Sequence, residues 1–409
     1  MRLAVVADVY PPLRSSGAVQ LRDLTRAMAA QGHAVTMFVS APEQSESWRL
    51  NDVQGVQVLR LATPRTRDMG YARRSLAEWW MSYAMRRGWQ ASPLADERFD
   101  GVVWYSPSIF HAPLVRALMA ISGCPGYLIV RDIFPEWARD MGLMGDGIPY
   151  RMFKHIAHRQ YEAADVIGVQ TPGNLPYFAD WQRRHPERRV EVLHNWLAPA
   201  ANVGCPIDVA AAGLAGRTIF VYAGNMGVAQ GMDVLLDLAE QFKTREDIGF
   251  VFVGRGSDTA RLRADAEARD LSAVRFFDEI EPEHIAGLYA QCHIGLVVLD
   301  PRHQTHNIPG KFLSYMQAGM PVLASVNAGN DLLQLINDEE VGIAASSAGS
   351  VDGLVQAAIT LVQTVRCGTN YRPRCARLAQ RLFDPLVAVT QIVAALTHGR
   401  GAQAGDVTP

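Results

Sequence analysis

Short apolar runs recur along the chain and alternate with helical spacing and polar loops. The run at residues 3–7 precedes a loop at 8–17, helical spacing at 18–31 and a second run at 34–39. This order predicts a right-handed crossover between parallel strands, with the loop at the carboxyl edge of the sheet, where ligands bind.

The pattern continues to about residue 195. Further strands are predicted over 101–106, 127–130, 165–170 and 190–195, with a half-buried alternating strand over 53–61. Residues 198–206 are small and proline-bearing and lack an amphipathic period. This composition predicts a linker between two domains.

The pattern restarts beyond the linker. Strands are predicted over 218–223, 250–253, 274–277 and 294–299, and each leads into a polar or glycine-rich loop. Four such loops at one sheet edge predict a ligand that carries phosphate. A last apolar-periodic helix is predicted over 379–396.

The segment at 307–323 predicts a helix followed by a strand. Asn307 is the expected N-cap, Pro309 lies in the first turn, and Gly319 is the C-cap. A helix N-terminus with a glycine and Lys311 beside it suits a phosphate. An ordinary capped helix with a solvated lysine remains the alternative from this segment alone.

Two places in the first half carry candidate chemistry. Arg131, Asp132 and Glu136 belong to a dense run of charge that begins where the strand at 127–130 ends, which is typical of a catalytic edge. An exposed loop with a structural Arg–Asp pair is the alternative. Ser16 and Gly17 end the first loop and either contact a ligand or form a simple turn.

The helix predicted over 72–89 combines tryptophans with terminal arginines. Aromatic side chains near one side and basic ends suit the surface of an anionic membrane. The residues expected to act there are Arg73, Arg74, Trp79, Trp80, Arg86 and Arg87. A helix packed on its own domain, with charged ends, is the alternative.

Composition limits the classes of partner and cellular location that are expected for this chain. The 409 residues are 49% hydrophobic and 20% charged with a formal net charge of −2, which gives no general reason to expect nucleic acid as a partner. Five scattered cysteines favour reduced thiols in a cytoplasm. Asp8 interrupts the first apolar run too early for a signal peptide, and no later run is long enough to span a bilayer.

Several motifs together resemble glycosyltransferase family four, the retaining transferases of GT-B fold. They are the Tyr-Pro-Pro loop at 10–12, Gly-His-Ala-Val-Thr at 32–36, Glu-Ala-Ala-Asp-Val-Ile at 162–167 and Ala-Gly-Met-Pro-Val at 318–322. The resemblance implies an α/β fold with two Rossmann-like parallel-sheet domains facing a cleft.

The resemblance also implies which part of the chain binds each substrate. Residues 1–198 would bind the acceptor, residues 207–378 would bind the nucleotide sugar, and a helix at 379–397 would cross back to the first domain, followed by a tail at 398–409.

Segments 131–137, 224–230 and 307–316 are similar to the WbuB-like L-fucosamine transferases of O-antigen and capsule clusters. That subgroup implies a UDP-activated N-acetylated sugar, such as UDP-N-acetyl-L-fucosamine, and a polyprenyl-diphosphate-linked glycan acceptor. The expected location is the cytoplasm, with peripheral contact at the inner membrane and a role in lipopolysaccharide synthesis.

The sequence departs from the family pattern at its charged positions. The two glutamates that the family places eight positions apart are His306 and Ser314 here, and the phosphate-binding arginine and lysine are Asn225 and Gln230. The histidine at the end of the 127–130 strand is Arg131, which stays protonated and cannot act as a base.

The expected neutralisation of the diphosphate therefore shifts to Lys311, Arg255 and the helix N-terminus at 307–311. His303 and His306 are further candidates for contact with donor sugar or phosphate. The expected donor-binding residues are Ser16, Gly17, Gly224, Asn225, Gln230, Arg255, Phe277, Asp278, His306, Asn307, Ile308, Pro309, Gly310, Lys311 and Ser314.

The expected chemistry needs no cofactor and no metal, because cations and backbone amides can stabilise the departing diphosphate and no Asp-x-Asp is placed to hold a metal. In the family's front-face mechanism the leaving phosphate assists deprotonation of the acceptor, which leaves Asp132 and Glu136 to orient the acceptor or act as a helper base. A UDP-N-acetylglucosamine 2-epimerase-like enzyme and a non-enzymatic sugar-binding protein remain alternatives.

Overall fold

The chain forms two compact units in the computed structural model, which describes residues 1–66, 69–227, 230–302, 304, 307–346 and 351–403. The first unit is Met1–Trp196 together with the C-terminal residues from Asp384, and the second is Leu197–Phe383. Each unit is built on one sheet of almost entirely parallel strands, so the predicted α/β class with two Rossmann-like domains is confirmed.

The sheet of the first unit has eight strands in the order β3-β4-β2-β1-β5-β6-β7-β8. They are β1 (Arg2–Ala7), β2 (Ala34–Ala41), β3 (Trp48–Val53), β4 (Val56–Ala62), β5 (Gly101–Tyr105), β6 (Gly126–Val130), β7 (Val166–Val169) and β8 (Arg189–Val192). Apart from the antiparallel β3–β4 pair, neighbouring strands are parallel, as the alternation of strands and helices predicts.

One strand of this sheet escaped prediction. The expected strand over 53–61 is the second arm of a hairpin whose turn is made by Gln54 and Gly55, both with positive φ (57° and 81°). Its first arm, β3, pairs only with β4 at the sheet edge and leaves alternate side chains half-buried. Its polar residues therefore hide the apolar alternation that marks a strand.

Helices cover both faces of the first sheet. They are α1 (Ser16–Ala30), α2 (Tyr71–Gln90), α3 (Ala112–Ser122), α4 (Glu136–Asp140), α5 (Ile148–Tyr161) and α6 (Ala179–Arg184). Buried side chains of α2, α3, α5 and α6 pack on one face and those of α1 pack on the other. This double layer explains why the strands between them are apolar without interruption.

Helix α1 begins earlier than the apolar spacing predicted. Ser15 is its N-cap, with an extended backbone and a side-chain oxygen that accepts from the amide of Ala18 at 3.4 Å. Ser16 and Gly17 are therefore the first helical residues and not the end of a loop.

The sheet of the second unit has six parallel strands in the order β11-β10-β9-β12-β13-β14. They are β9 (Thr218–Ala223), β10 (Ile248–Val253), β11 (Val274–Phe277), β12 (Ile294–Val298), β13 (Val322–Val326) and β14 (Gly342–Ser346). Strand β14 was not predicted. Its Gly-Ile-Ala-Ala-Ser sequence is short and only weakly apolar, and it is an edge strand that pairs only with β13.

The helices of the second unit follow its strands. They are α7 (Asp233–Gln241), α8 (Thr259–Ala268), α9 (Ile285–Tyr289), α10 (Gly310–Ala318), α11 (Asp331–Asp338), α12 (Val351–Arg366) and α13 (Arg372–Leu382). The predicted N-cap of α10 was wrong, because Pro309 and not Asn307 occupies that position. A residue before proline disfavours helical backbone angles, so Ile308 stays outside the helix. Gly319 is the left-handed C-cap, as predicted.

The single helix predicted over 379–396 is two helices, α13 and α14 (Pro385–Gln403). Pro385 cannot continue a helix from the preceding turn, and the Asp384 carboxylate accepts from the amide of Leu386 at 2.8 Å to start the new one. Helix α14 buries Val389, Ile392 and Leu396 in the first unit, on the face that α1 covers.

Candidate functional site

Two glycine-rich loops lie together at the carboxyl edge of the second sheet, after β9 and β10. Gly224 and Gly254 have φ of 146° and 145°, and a Cβ at Gly254 would overlap the carbonyl oxygen of Gly224. The amide of Met226 donates to the carbonyl of Arg255 at 2.9 Å and joins the loops. Only glycine permits this close approach, so the second sheet presents a double loop of tightly placed backbone groups.

Lys311 lies in the first turn of α10 and projects over this double loop. Its Nζ is 4.4 Å from the ring centre of Tyr222, and its Cε would be 3.6 Å from a Cβ at Gly224. The side chain is half-buried, and no carboxylate pairs with it among the residues that the structure describes. Burial lowers the pKa of Lys311 to about 8. Within the described part of the chain, Lys311 is therefore a cation without a carboxylate partner, beside backbone amides.

The N-terminus of α10 adds donors to the same edge. Its N-cap, Pro309, has an extended backbone and no capping side chain, so the first N–H groups of the helix lack protein acceptors from a cap. Ile308 is buried and Gly310 has open space around its Cα. Asn307, half-buried, immediately precedes them. His303 and His306, the predicted histidines, lie outside the described residues.

Ser314, one helical turn further along α10, stands where the family pattern has a glutamate. Its hydroxyl donates to the carbonyl oxygen of Gly310 at 3.3 Å. The proton of this hydroxyl is therefore used inside the helix, and what Ser314 offers a ligand is an acceptor oxygen.

Asn225 and Gln230, the neutral residues at the family's cation positions, are bonded to each other. Asn225 Nδ2 donates to Gln230 Oε1 at 3.2 Å, and the same oxygen accepts from the amide of Gly227 at 3.0 Å. The carbonyl of Asn225 accepts from the Tyr222 hydroxyl at 2.7 Å. These contacts hold the loop after β9 in shape but place no positive charge in it.

The other predicted donor residues lie at the rim. Arg255 has 79% of its side chain exposed and pairs with Glu279 at 2.9 Å, while Asp278 is 97% exposed and pairs with Arg263 at 2.9 Å. Phe277 is half-buried at the end of β11, and its carbonyl accepts from the amide of Gly254 at 3.1 Å. Of the two cations expected to neutralise a diphosphate, Arg255 already has a carboxylate partner and Lys311 has none described.

In the first unit, Arg131 is buried directly after β6 and has 5% of its surface exposed. Its amide donates to Ser106 Oγ at 2.7 Å, and its guanidinium carbon is 5.5 Å from the ring centre of Trp196. The terminal nitrogens of the guanidinium form no hydrogen bond with a carboxylate or carbonyl among the described residues, and the side chain of Tyr105 lies beside the guanidinium. Burial lowers the pKa of Arg131, and the nearby Tyr105 and Asp132 oppose that change.

Tyr105 connects Arg131 to helix α1. Its hydroxyl donates to Gln20 Oε1 at 2.6 Å, and its ring edge would be 3.4 Å from a Cβ at Gly17. Burial raises the pKa of this phenol to about 12, against the opposing effect of the Arg131 charge. Gly17 and Arg131, both predicted from sequence, therefore lie on two sides of one tyrosine, while Ser16 is exposed in the same first turn.

Asp132 and Glu136 differ in their surroundings. Asp132 is half-buried and close enough to raise the pKa of Arg131. The Glu136 carboxylate, 13% exposed, pairs with Lys154 at 3.3 Å and accepts from the Tyr150 hydroxyl at 3.5 Å. A carboxylate held this way fastens α4 to α5, which favours a positioning role over that of a base.

Helix α2 both packs on the first unit and leaves an aromatic surface outside. Met81, Met85 and Trp89 are buried against the sheet. Four large apolar residues are exposed, Leu76 (71%), Trp79 (41%), Trp80 (60%) and Tyr83 (38%). The predicted arginines Arg73, Arg74, Arg86 and Arg87 are exposed too, with Arg74 paired to Glu78 at 2.8 Å.

Sequence reasoning missed several residues that surround Lys311 in the second unit and Arg131 in the first. Tyr222 supports Lys311, Gly254 permits the double loop, and Tyr105 with Trp196 encloses Arg131. Tyr105 and Tyr222 lie near the ends of the strands predicted over 101–106 and 218–223, and neither was singled out there. Because side chains alternate along a strand, attention to the last two residues of each strand could have found them.

Two family models match the halves of the chain. Residues 17–196 match the Glycosyl transferase 4-like domain, and residues 217–364 match Glycosyl transferases group 1. The chain is a glycosyltransferase. The alternatives of an epimerase and of a non-enzymatic sugar-binding protein are set aside, because both matched models describe glycosyltransferases.

Two named relatives agree with this glycosyltransferase assignment. A protein named glycosyltransferase WbjE, from Pseudomonas aeruginosa, is 27% identical over 56% of this chain and 57% of its own length. A protein named colanic acid biosynthesis glycosyl transferase WcaI, from Escherichia coli K12, is 23% identical over 82% of this chain and 86% of its own length.

A solved structure supports the fold of this glycosyltransferase. The UDP-forming α,α-trehalose-phosphate synthase from Burkholderia xenovorans matches with a TM-score of 0.74 and 14% identity, over 97% of this chain and all of that chain. At this identity the likeness concerns the GT-B fold alone. Within the described residues, no helix combines the length and apolarity needed to cross a bilayer.

Proposed function

We propose that this glycosyltransferase moves an N-acetylated sugar from a UDP-sugar to a polyprenyl-diphosphate-linked glycan during the synthesis of a surface polysaccharide. The favoured donor is UDP-N-acetyl-L-fucosamine or a related N-acetylated hexosamine, as the resemblance to the WbuB-like transferases implies. The names of the relatives, one of them a colanic acid biosynthesis transferase, support a polysaccharide product.

The observation that carries the donor proposal is Lys311. A half-buried ammonium without a described carboxylate partner, placed over a double glycine loop and at a helix N-terminus, suits a ligand with concentrated negative charge. The diphosphate of a nucleotide sugar provides that charge, and UDP is the diphosphate named for the trehalose-phosphate synthase of similar fold.

The chemistry follows from the charge that develops on the leaving group. As the bond from the sugar to UDP breaks, negative charge grows on the departing phosphate oxygen, and Lys311 with the first amides of α10 would stabilise it. Gly224 and Gly254 would let the backbone approach the phosphates. Asp132 would orient the acceptor hydroxyl, and Glu136 would keep α4 in place through its contact with Lys154.

The membrane-linked acceptor is supported by helix α2 and its neighbour α5. Together they carry seven basic residues and one acidic residue, with exposed tryptophans between the arginines of α2. Trp79 and Tyr83 also border a small apolar groove with Ile156 and Arg159 of α5. Basic and aromatic groups on one helix layer suit an anionic lipid surface.

Thermal denaturation with nucleotides tests the donor proposal. The purified protein is heated with UDP, GDP, dTDP or ADP in the presence of EDTA, alongside Lys311→Ala and the control Lys243→Ala. Lys243 is exposed and paired with Asp270, so its loss should leave the donor site intact. At ~100 times its dissociation constant, UDP should add roughly 2.7 kcal/mol of stability.

The expected result is stabilisation by UDP alone, retained in Lys243→Ala and lost in Lys311→Ala. Stabilisation by none of the nucleotides would refute the donor site. Incubation of the enzyme with UDP-N-acetyl-L-fucosamine or UDP-N-acetylglucosamine and a lipid-linked acceptor would then identify the sugar from the product.

A further inference from the structure

Arg131 is the only lysine or arginine that is buried among the described residues. A buried guanidinium normally satisfies its donors with carboxylates or carbonyls, because unpaired donors are costly away from water. The two terminal nitrogens of Arg131 have no such acceptor within the described part of the chain. The negative charge of Asp132 favours the charged form of Arg131, but the two terminal nitrogens still lack a hydrogen-bonded carboxylate.

A connected set of side-chain contacts surrounds Arg131. Trp196 lies against the guanidinium at 5.5 Å, and the indole nitrogen of Trp196 donates to the carbonyl of Gln20 at 2.6 Å. The side chain of the same Gln20 accepts from Tyr105. Tyr105 in turn lies against Gly17, in the first turn of the 15-residue helix α1. One end of α1 and one buried cation are therefore fixed around the same tyrosine.

We propose that Arg131, with the N-terminal turn of α1, forms an anion-binding site that receives a carboxylate or phosphate of the acceptor substrate. The planar fork of donors on arginine fits the two oxygens of either group. The N-terminal turn of α1, which lies against the same Tyr105, favours negative charge on its side of that tyrosine. This inference rests on the proposed function in assuming that the first unit binds the acceptor.

Two parts of a lipid-linked glycan could supply the oxyanion. One is the carboxylate of an acidic sugar near the accepting hydroxyl, and the other is the diphosphate that joins glycan to lipid. Sodium glucuronate and inorganic pyrophosphate are simple probes for these two sources, and methyl glucoside is the neutral control.

The experiment measures binding of each probe to the full-length protein by isothermal titration calorimetry, with EDTA present. Arg131→Gln, Arg131→Lys and the control Arg49→Gln are compared with the wild-type protein. Arg49 is exposed on β3 and pairs with Glu46 at 3.2 Å. Loss of a charge-assisted hydrogen bond should weaken binding about 10- to 100-fold in Arg131→Gln. Arg131→Lys should be intermediate because it keeps the charge without the fork.

The proposal holds if glucuronate, pyrophosphate or both bind the wild-type and Arg49→Gln proteins and bind Arg131→Gln at least tenfold more weakly. Binding of one probe alone assigns the source. The proposal is overturned if neither probe binds, if Arg131→Gln binds as well as wild type, or if methyl glucoside binds equally.

Stabilisation by UDP in the same proteins separates this site from the donor site. Loss of UDP stabilisation in Arg131→Gln with unchanged probe binding would overturn the acceptor assignment. Failure of UDP to stabilise even the wild-type protein, with Arg131-dependent probe binding intact, would instead refute the proposed donor.

If Arg131→Gln does not fold, arginine side-chain NMR of the wild-type protein gives the answer. The resonance of Arg131, assigned through Arg131→Lys, should shift on addition of the bound probe, and an unmoved resonance would overturn the proposal.

Discussion

Lys311 is the residue whose environment departs most from what its sequence position suggested. A lysine in the first turn of a helix is ordinarily solvated, whereas this one lies over the ring of Tyr222 and is half-buried. Its burial lowers the pKa to about 8, so its charge depends on pH within an accessible range.

This gives a pH prediction for UDP binding. The diphosphate requires the protonated ammonium, and raising the pH above about 8 deprotonates Lys311 in the free enzyme. The dissociation constant of UDP, measured by calorimetry between pH 7 and 9.5, should therefore be constant below pH 8 and rise above it. The rise should approach about tenfold per pH unit, with proton uptake on binding.

Lys311→Arg is the matched control for that titration. A guanidinium keeps its charge throughout this range, so the variant should bind UDP with little dependence on pH. A wild-type dissociation constant that stays flat to pH 9.5 would contradict the role of Lys311.

At the scale of single elements, helix α2 shows how one helix can serve two purposes. Met81, Met85 and Trp89 bind it to the sheet, while Leu76 and Trp80 point away from the unit. An exposed tryptophan leaves a large apolar surface in contact with water and adds nothing to the core. Its position between arginines therefore supports contact with an external surface.

Vesicle sedimentation tests α2. Wild-type protein should bind vesicles that contain about a third phosphatidylglycerol. Arg86→Gln/Arg87→Gln should lose roughly 2 kcal/mol of binding, because each basic residue near an anionic surface contributes about 1 kcal/mol. High salt should remove most of the difference.

The control is Lys243→Gln/Arg245→Gln, which removes two exposed charges from the second unit. It should sediment like the wild-type protein. Equal loss in both double variants would mean that net charge, and not helix α2, drives the binding.

At the scale of the whole molecule, the C-terminal segment completes the first unit after the chain has built the second. Helix α14 places Leu396, fully buried, directly on Gly101 of β5. The core of the first unit therefore depends on residues almost three hundred positions apart in sequence.

Leu396→Ala tests that dependence. Removing a buried leucine side chain should cost about 2–5 kcal/mol. Hydrogen exchange should show faster opening of β1 and β5 in the first unit and no change in β9 and β10 of the second. Leu386→Ala, on the same helix but 46% exposed, should change stability by less than about 0.5 kcal/mol. Equal acceleration in both units would show that they unfold together.

Most of the fold was determined by the sequence. Continuous apolar runs of strand length, separated by helical spacing, are enough to indicate buried parallel strands, and they located all strands but β3 and β14, two of the four edge strands. These two escaped because their residues are polar or only weakly apolar, whereas the edge strand β11 has an apolar run and was found. The starts of α1 and α10 were each misplaced by two residues, because capping depends on backbone angles that the apolar period does not report.

The loops that carry the candidate site were also determined by the sequence, since each follows a recognisable strand. Which of their charges are available was decided by the tertiary structure. Glu279 pairs with Arg255, and Lys154 with Glu136, whereas Lys311 and the terminal nitrogens of Arg131 have no described carboxylate. The physical reason is that a charge is neutralised or left available by groups distant in sequence, and local pattern contains no information about them.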